Sequence, residues 1–202
     1  MGLLSSSVSM TRYRVNGEIE GPLMETIHQG LVTNTVPEID GEVTDKATGW
    51  TSWQTPYQPD FEGSSFAYGT YLVFSLRVDK KSIPAKAVQK LMAVEMARKL
   101  AEDQRPYLSK NEKKLIKEHV TDALCRQVPS VPHIYDLIWN YEERRICFFS
   151  SLKSANEELE ELFVKSFGLN LIRLFPYTLT EIAMELTADQ KDRLNHLKPT
   201  SF

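Results

Sequence analysis

The chain has 202 residues, 42% of them hydrophobic and 25% charged, with a net charge of −3. This is the composition of an ordinary soluble globular protein, long enough for a real core in one large or two small domains. No apolar run approaches the roughly 20 residues of a membrane-spanning helix, and Met1 to Met10 lacks the basic-then-apolar pattern of a secretory signal, so a cytoplasmic protein is expected.

Taken in order, Ser5 to Val15 reads as a strand of period two, with Val8, Met10, Arg12 and Arg14 on one face. Gly17 and Gly21-Pro22 punctuate the chain before a short helix over Leu23 to Leu31. Val32 to Thr48 is irregular and acidic, Gly49 to Trp53 is a short strand, and Pro56 to Ser65 is a loop. The β-branched and aromatic run Tyr68 to Val78 predicts the clearest strand of the first half. Pro84, whose missing N–H costs nothing in a first turn, opens a helix to about Gln104. Ser109-Lys110-Asn111-Glu112 is a capping box for a second long helix, closed by Pro129 and Pro132. Ile134 to Trp139 and Arg145 to Phe149 predict a hairpin. Ser154 to Glu157 reads as another capping box, its helix running to Gly168 as the residue that ends it, and Leu169 to Phe175 is a last strand. Thr180 to Phe202 reads as one amphipathic helix with a frayed end. The fold class is α+β: two small sheets, β-α-β-β and β-β-α-β, joined by a pair of long helices. The corresponding parts are 1–82, 83–129, 130–178 and a tail, 179–202.

Charge is distributed unevenly along this order. The stretch Arg77 to Lys117 holds 12 of the 24 Lys and Arg but only 5 of the 27 acidic residues, a net of +7, leaving −10 for the remainder. Solubility alone favours mixed signs, so the segregation points to a polyanionic partner. Lys110, Lys113, Lys114 and Lys117 fall within about 100° of one another on the second helix. Lys86 and Lys90 lie one turn apart on the first, near Lys80 and Lys81. Lysine meets phosphate as a point charge and carries no base-reading geometry, so sequence-independent binding is expected. The plainer alternative is a solvated helix face. Trp50, Trp53, Tyr57, Phe61, Phe66 and Tyr68 could stack on bases, but few basic residues are interleaved with them, and packing is the expected role.

Sequence signatures of catalysis are few. There is no phosphate loop, no dinucleotide fingerprint and no nucleophile elbow. His28, His119, His133 and His196 are scattered. Cys125 and Cys147 are isolated and read as buried thiols in a reducing compartment, so no metal, cofactor or disulfide framework is expected. A metal-dependent nuclease would need clustered carboxylates; Asp79 beside two lysines, and Glu157, Glu158, Glu160 and Glu161, are the candidates.

The stretch Tyr71 to Phe175 resembles the bacterial recombination-associated RdgC family. The carrying residues are Leu72 to Pro84 as strand into helix, Ala97-Arg98-Lys99-Leu100, and the lysine-rich Leu108 to Glu118. The hairpin ending Phe149 to Ala155, and Phe167-Gly168-Leu169 into a strand, continue the resemblance. Upstream, Gly49-Trp50 and Arg12-Tyr13-Arg14-Val15 are similar to further family segments. The resemblance implies a nucleoid-associated protein that binds double-stranded DNA without sequence preference. It also implies a ring-like homodimer with a positive inner surface, which restrains the RecA recombinase by occupying DNA. It brings no catalytic residue, although the family has also carried an exonuclease label. Two departures stand out: family members usually continue past Phe202 with a part that helps close the ring, and Cys125 to Pro129 replaces a family turn.

The leading expectation is therefore a non-enzymatic duplex-DNA-binding protein. Its contacts would be Lys80, Lys81, Lys86, Lys90, Lys110, Lys113, Lys114 and Lys117. The alternatives are a Mg²⁺-dependent nuclease and a protein-interaction module that has lost DNA binding.

Overall fold

The computed structural model describes residues 2–63, 65–184 and 186–196. Strand β1 (Thr11–Asn16) leads into helix α1 (Leu23–Thr33), followed by β2 (Lys46–Thr51), β3 (Ala67–Tyr68) and β4 (Tyr71–Lys80). Two long helices come next, α2 (Ala85–Glu102) and α3 (Lys110–Gln127). Then come β5 (Val131–Asn140), β6 (Arg145–Phe148), α4 (Lys153–Phe167) and β7 (Asn170–Arg173), with α5 (Pro176–Ala183) and α6 (Ala188–His196) after them.

The α+β class agrees with the sequence, but the two small sheets do not form. All seven strands join one antiparallel sheet of order β2-β4-β5-β6-β1-β7, with β3 on β4 beside β2. The physical reason lies in β4 and β5. They pair along their whole length, from Tyr71 opposite Asn140 to Lys80 opposite Val131, and so fuse the strands before the helical pair to those after it.

Helices α1 and α4 cover one face of this sheet. Period-two alternation aims Leu72, Phe74 and Leu76 of β4, Leu137 and Trp139 of β5, and Ile146 and Phe148 of β6 into that layer. There they meet Ile27 and Leu31 of α1 and Leu159 and Phe163 of α4. Trp50 lies edge-on to Phe74 at 5.0 Å, and Phe163 edge-on to Phe167 at 4.8 Å. A Cβ at Gly30 of α1 would stand 2.6 Å from the Phe167 ring, so glycine there sets how closely the two helices approach.

β4 is buried on its second face as well. Val73, Ser75, Arg77 and Asp79 all point that way and are all buried. Ser75 Oγ donates to Asp136 Oδ1 at 2.8 Å, Leu3 N donates to Asp136 Oδ2 at 2.6 Å, and Thr51 Oγ1 donates to Pro56 O at 2.9 Å. A strand covered on both sides reads as a continuous apolar run, which is why Tyr71 to Val78 is so legible.

Several local expectations shift. β1 begins at Thr11, not Ser5. Gly69, in the left-handed region at φ 62°, breaks the expected single strand into β3 and β4. Pro132 lies inside β5, tolerated because β6 pairs only with Leu137 to Asn140 and leaves that end of the strand open. The Ser109–Glu112 capping box forms as expected. The one at Ser154 does not: α4 starts two residues earlier, at Lys153 after Leu152, and Asn156 Nδ2 donates to Leu152 O at 2.7 Å. The expected tail helix is replaced by α5 and α6, and its stretch 197–202 lies outside the described residues. Cys125 is buried, but Cys147 is only half-buried.

Candidate nucleic-acid interface

The basic window folds into a helical hairpin. Ser109 Oγ accepts from Glu112 N at 3.2 Å while Glu112 Oε2 accepts from Ser109 N at 2.8 Å, which fixes the start of α3. Arg105 Nη2 closes the turn between the helices by donating to Glu112 Oε1 at 2.7 Å and to Asp103. The Arg105 guanidinium, and then Ser109, hold the Glu112 carboxyl down at about 2. α2 buries no residue and α3 buries only Val120 and Cys125, the two helices packing chiefly on one another.

The base of the hairpin is tied to the 38–45 loop. Lys81 Nζ donates to Glu42 O at 2.7 Å and Cys125 O at 2.9 Å. Cys125 Sγ donates to Val43 O at 2.9 Å, and Ser130 N to Asp40 Oδ1 at 2.8 Å. Of the eight lysines singled out in the sequence, Lys81 thus stands apart: it is buried and its ammonium is engaged with carbonyls. A basic residue beside another basic residue gives no sign of this, because burial of one partner depends on the loop that folds over it.

The other seven, Lys80, Lys86, Lys90, Lys110, Lys113, Lys114 and Lys117, are exposed. Lys114 lies 3.6 Å from Glu118, one helical turn away. The remaining six have no ion pair among the described residues. The arginines of the same window behave differently. Arg77 is held by Asp79, Arg98 by Glu95 at 2.8 Å, and Arg105 by Glu112 and Asp103. The window therefore presents uncommitted lysine ammoniums, while its three arginines already have carboxylates. That distinction is invisible in a count of charges.

The carboxylates considered for metal chemistry are dispersed. Asp79 is fully buried, with Arg77 Nε and Nη2 donating to its two oxygens at 2.8 and 2.6 Å. Glu158 accepts from Lys46 and from Thr48 Oγ1 at 2.8 Å, and Glu160 from Arg173 Nε at 2.6 Å and the Tyr13 hydroxyl at 2.9 Å. Glu157 and Glu161 are exposed on α4. Among the described residues no three His, Cys, Asp or Glu side chains converge as a metal site. Of the aromatics, Trp50, Phe61 and Phe66 are buried, Trp53 is half-buried with its ring edge-on to Tyr68, and Tyr57 and Tyr68 are exposed.

A family model described as "Putative exonuclease, RdgC" matches residues 9–188. The chain belongs to the RdgC family. The match takes in the sheet, its covering helices and the whole hairpin, and it makes this a recombination-associated protein in the general sense. No curated protein matches the chain. No helix among the described residues of this RdgC-family chain is long and apolar enough to cross a membrane.

Proposed function

We propose that this RdgC-family protein binds double-stranded DNA without sequence preference, through the exposed lysines of the helical hairpin and the adjoining end of β4. It does so as a nucleoid-associated homodimer that modulates homologous recombination by restraining RecA on DNA it occupies, and it does so without catalysis. The observation that carries the DNA-binding reading is the set of exposed lysines, Lys114 apart, that have no ion pair among the described residues. Point charges of this kind suit the phosphate backbone and release counterions on binding. Homodimerisation and RecA restraint rest on the family resemblance.

If six lysines neutralise phosphates, log K against log salt should slope at about −5, and scrambled duplexes should bind equally. The decisive variant replaces Lys110, Lys113, Lys114 and Lys117 with Gln, a change nearly neutral in helix propensity. Folding should survive, duplex affinity should fall by orders of magnitude at moderate salt, and the slope should become shallower by roughly 0.9 for each phosphate no longer neutralised. A folded quadruple variant with unchanged affinity and slope overturns the reading. Mg²⁺-dependent cleavage of linear duplex that one carboxylate substitution abolishes would put a nuclease in its place.

A further inference from the structure

The sheet face opposite α1 and α4 carries a second group of cations that the hairpin does not explain. Period-two alternation puts Arg12 and Arg14 on that face of β1, both exposed. The register with β6 sets Arg14 directly opposite Arg145, and Arg12 opposite Cys147. Like charges facing each other across an antiparallel pair are destabilising. Among the described residues, Arg145 has an ion pair only with the exposed Glu143 at 3.3 Å, and Arg12 and Arg14 have none.

Beside these arginines the face is concave. A cavity of about 290 Å³ opens between β1, β5, β6 and the segment entering α5, with Arg12 and Arg145 in its wall. Ile138, Leu174 and Leu179 give it an apolar side, and the half-exposed ring of Tyr71 stands at its margin. Asn140 also lines it; its Oδ1 accepts from Glu143 N at 3.0 Å, and its amide NH₂ has no acceptor among the described residues. The Glu143 carboxylate also lines the cavity and holds Arg145, so an anion would have to take Arg145 over from it. Two guanidiniums, one amide donor and an apolar wall are otherwise the elements of a site for a small anion with a ring-sized body.

We propose that this cavity binds a phosphate monoester of mononucleotide size, its phosphate between Arg12 and Arg145 and its base against Tyr71, Ile138 and Leu179. Arg14 adds positive potential from its place two residues along the strand. The site lies on the sheet, uses none of the hairpin lysines, and stands or falls independently of them. The same chemistry is offered by a free nucleotide and by the 5′-phosphorylated end of a DNA strand.

The test is backbone-amide NMR of the full chain during titration with dAMP, with deoxyadenosine as the control lacking phosphate. The expected result is saturable shifts at Arg12, Asn140, Arg145 and Cys147, none of comparable size with deoxyadenosine, and at least tenfold weaker binding in Arg12→Gln/Arg145→Gln. A second arm uses a short single strand with and without a 5′-phosphate. Preference for the phosphorylated strand over dAMP identifies a strand end as the source, and the reverse identifies the free nucleotide. The variant with Gln at the four α3 lysines should retain its dAMP affinity. Absence of saturable shifts with either phosphorylated probe overturns the proposal. So does undiminished dAMP binding by the Arg12→Gln/Arg145→Gln variant, whose spectrum reports its folding in the same experiment.

Discussion

In the sheet and its two covering helices, Trp50, Phe74, Leu137 and Phe163 are wholly inaccessible to solvent, whereas α2, a helix of 18 residues, buries not one side chain. The sheet is stabilised by apolar area removed from water and by interlocked rings. The hairpin relies on helix propensity, a cap, a handful of ion pairs and the contact between its own two helices. Substitutions in the first region should register as changes in stability. In the second, most positions are open to selection for what they touch outside the protein, which is where uncommitted lysines are tolerated.

The contrast is broken most forcefully at Trp50. Its ring packs on Phe74 and Phe167, and Nε1 donates to Ser166 Oγ at 2.7 Å. Trp50→Ala should cost about 3–5 kcal/mol, read as a lowered urea midpoint. A loss below about 1 kcal/mol would mean that the layer collapses around the hole.

Next comes the buried pair beneath the 52–62 loop. Asp79→Ala leaves the Arg77 guanidinium, whose side chain is 8% exposed, with only the exposed Glu38, 3.9 Å away, as an ionic partner among the described residues. A loss of about 3 kcal/mol is expected from the loss of the buried, hydrogen-bonded carboxylate, the more distant Glu38 being a poor substitute. The double change Arg77→Met/Asp79→Leu should recover most of it, and failure to recover would show that the pair does more than neutralise itself.

The smallest effect belongs to the hairpin. Ser109→Ala removes the α3 cap and should cost about 1 kcal/mol, seen as faster amide exchange at Glu112 and Lys113 while the sheet amides keep their protection. Acid should act at the same place. Glu112 is held at about 2 in the fold against an ordinary 4.5, so its contribution is complete above about 4.5 and is lost as pH falls towards about 2. Protection factors at the start of α3, relative to intrinsic exchange at each pH, should fall across that window in the native chain, and Glu112→Gln should remove that fall.

Sequence periodicity makes the strands and helices legible wherever one residue's neighbours decide its state. The α3 cap and the left-handed Gly168, at φ 68° at the end of α4, are local features of this kind, and both form where the sequence places them. The single sheet is not legible, because nothing within β4 or β5 says that they pair with each other across an intervening helical hairpin. Ser154 misleads for a related reason: its neighbour Asn156 reaches back to Leu152 O and Ser150 O and fixes an earlier start. At the candidate interface the lysine stripe and its exposure follow from helical spacing. The burial of Lys81 does not, since its carbonyl partners come from the 38–45 loop and from Cys125, remote in the chain. The alternation of Arg12 and Arg14 is visible in the sequence, but the register placing Arg145 against Arg14 requires the folded sheet.

The pairing of Lys80 with Val131 has a topological consequence. The chain leaves the sheet and returns to it at adjacent points, so residues 81–130 form an excursion whose entrance and exit lie side by side. In connectivity the whole hairpin occupies the place of an ordinary two-residue turn between antiparallel neighbours. Bringing the two strands together across so long a detour carries a loop-closure entropy of about 3 kcal/mol above that of a tight turn. The β4–β5 seam is therefore more disfavoured early in folding than the β5–β6 hairpin beside it, although both lie inside the finished sheet. Excising the detour in favour of Asn-Gly would leave the sheet's strand order untouched, and the lysine-bearing element is, in that sense, a graft.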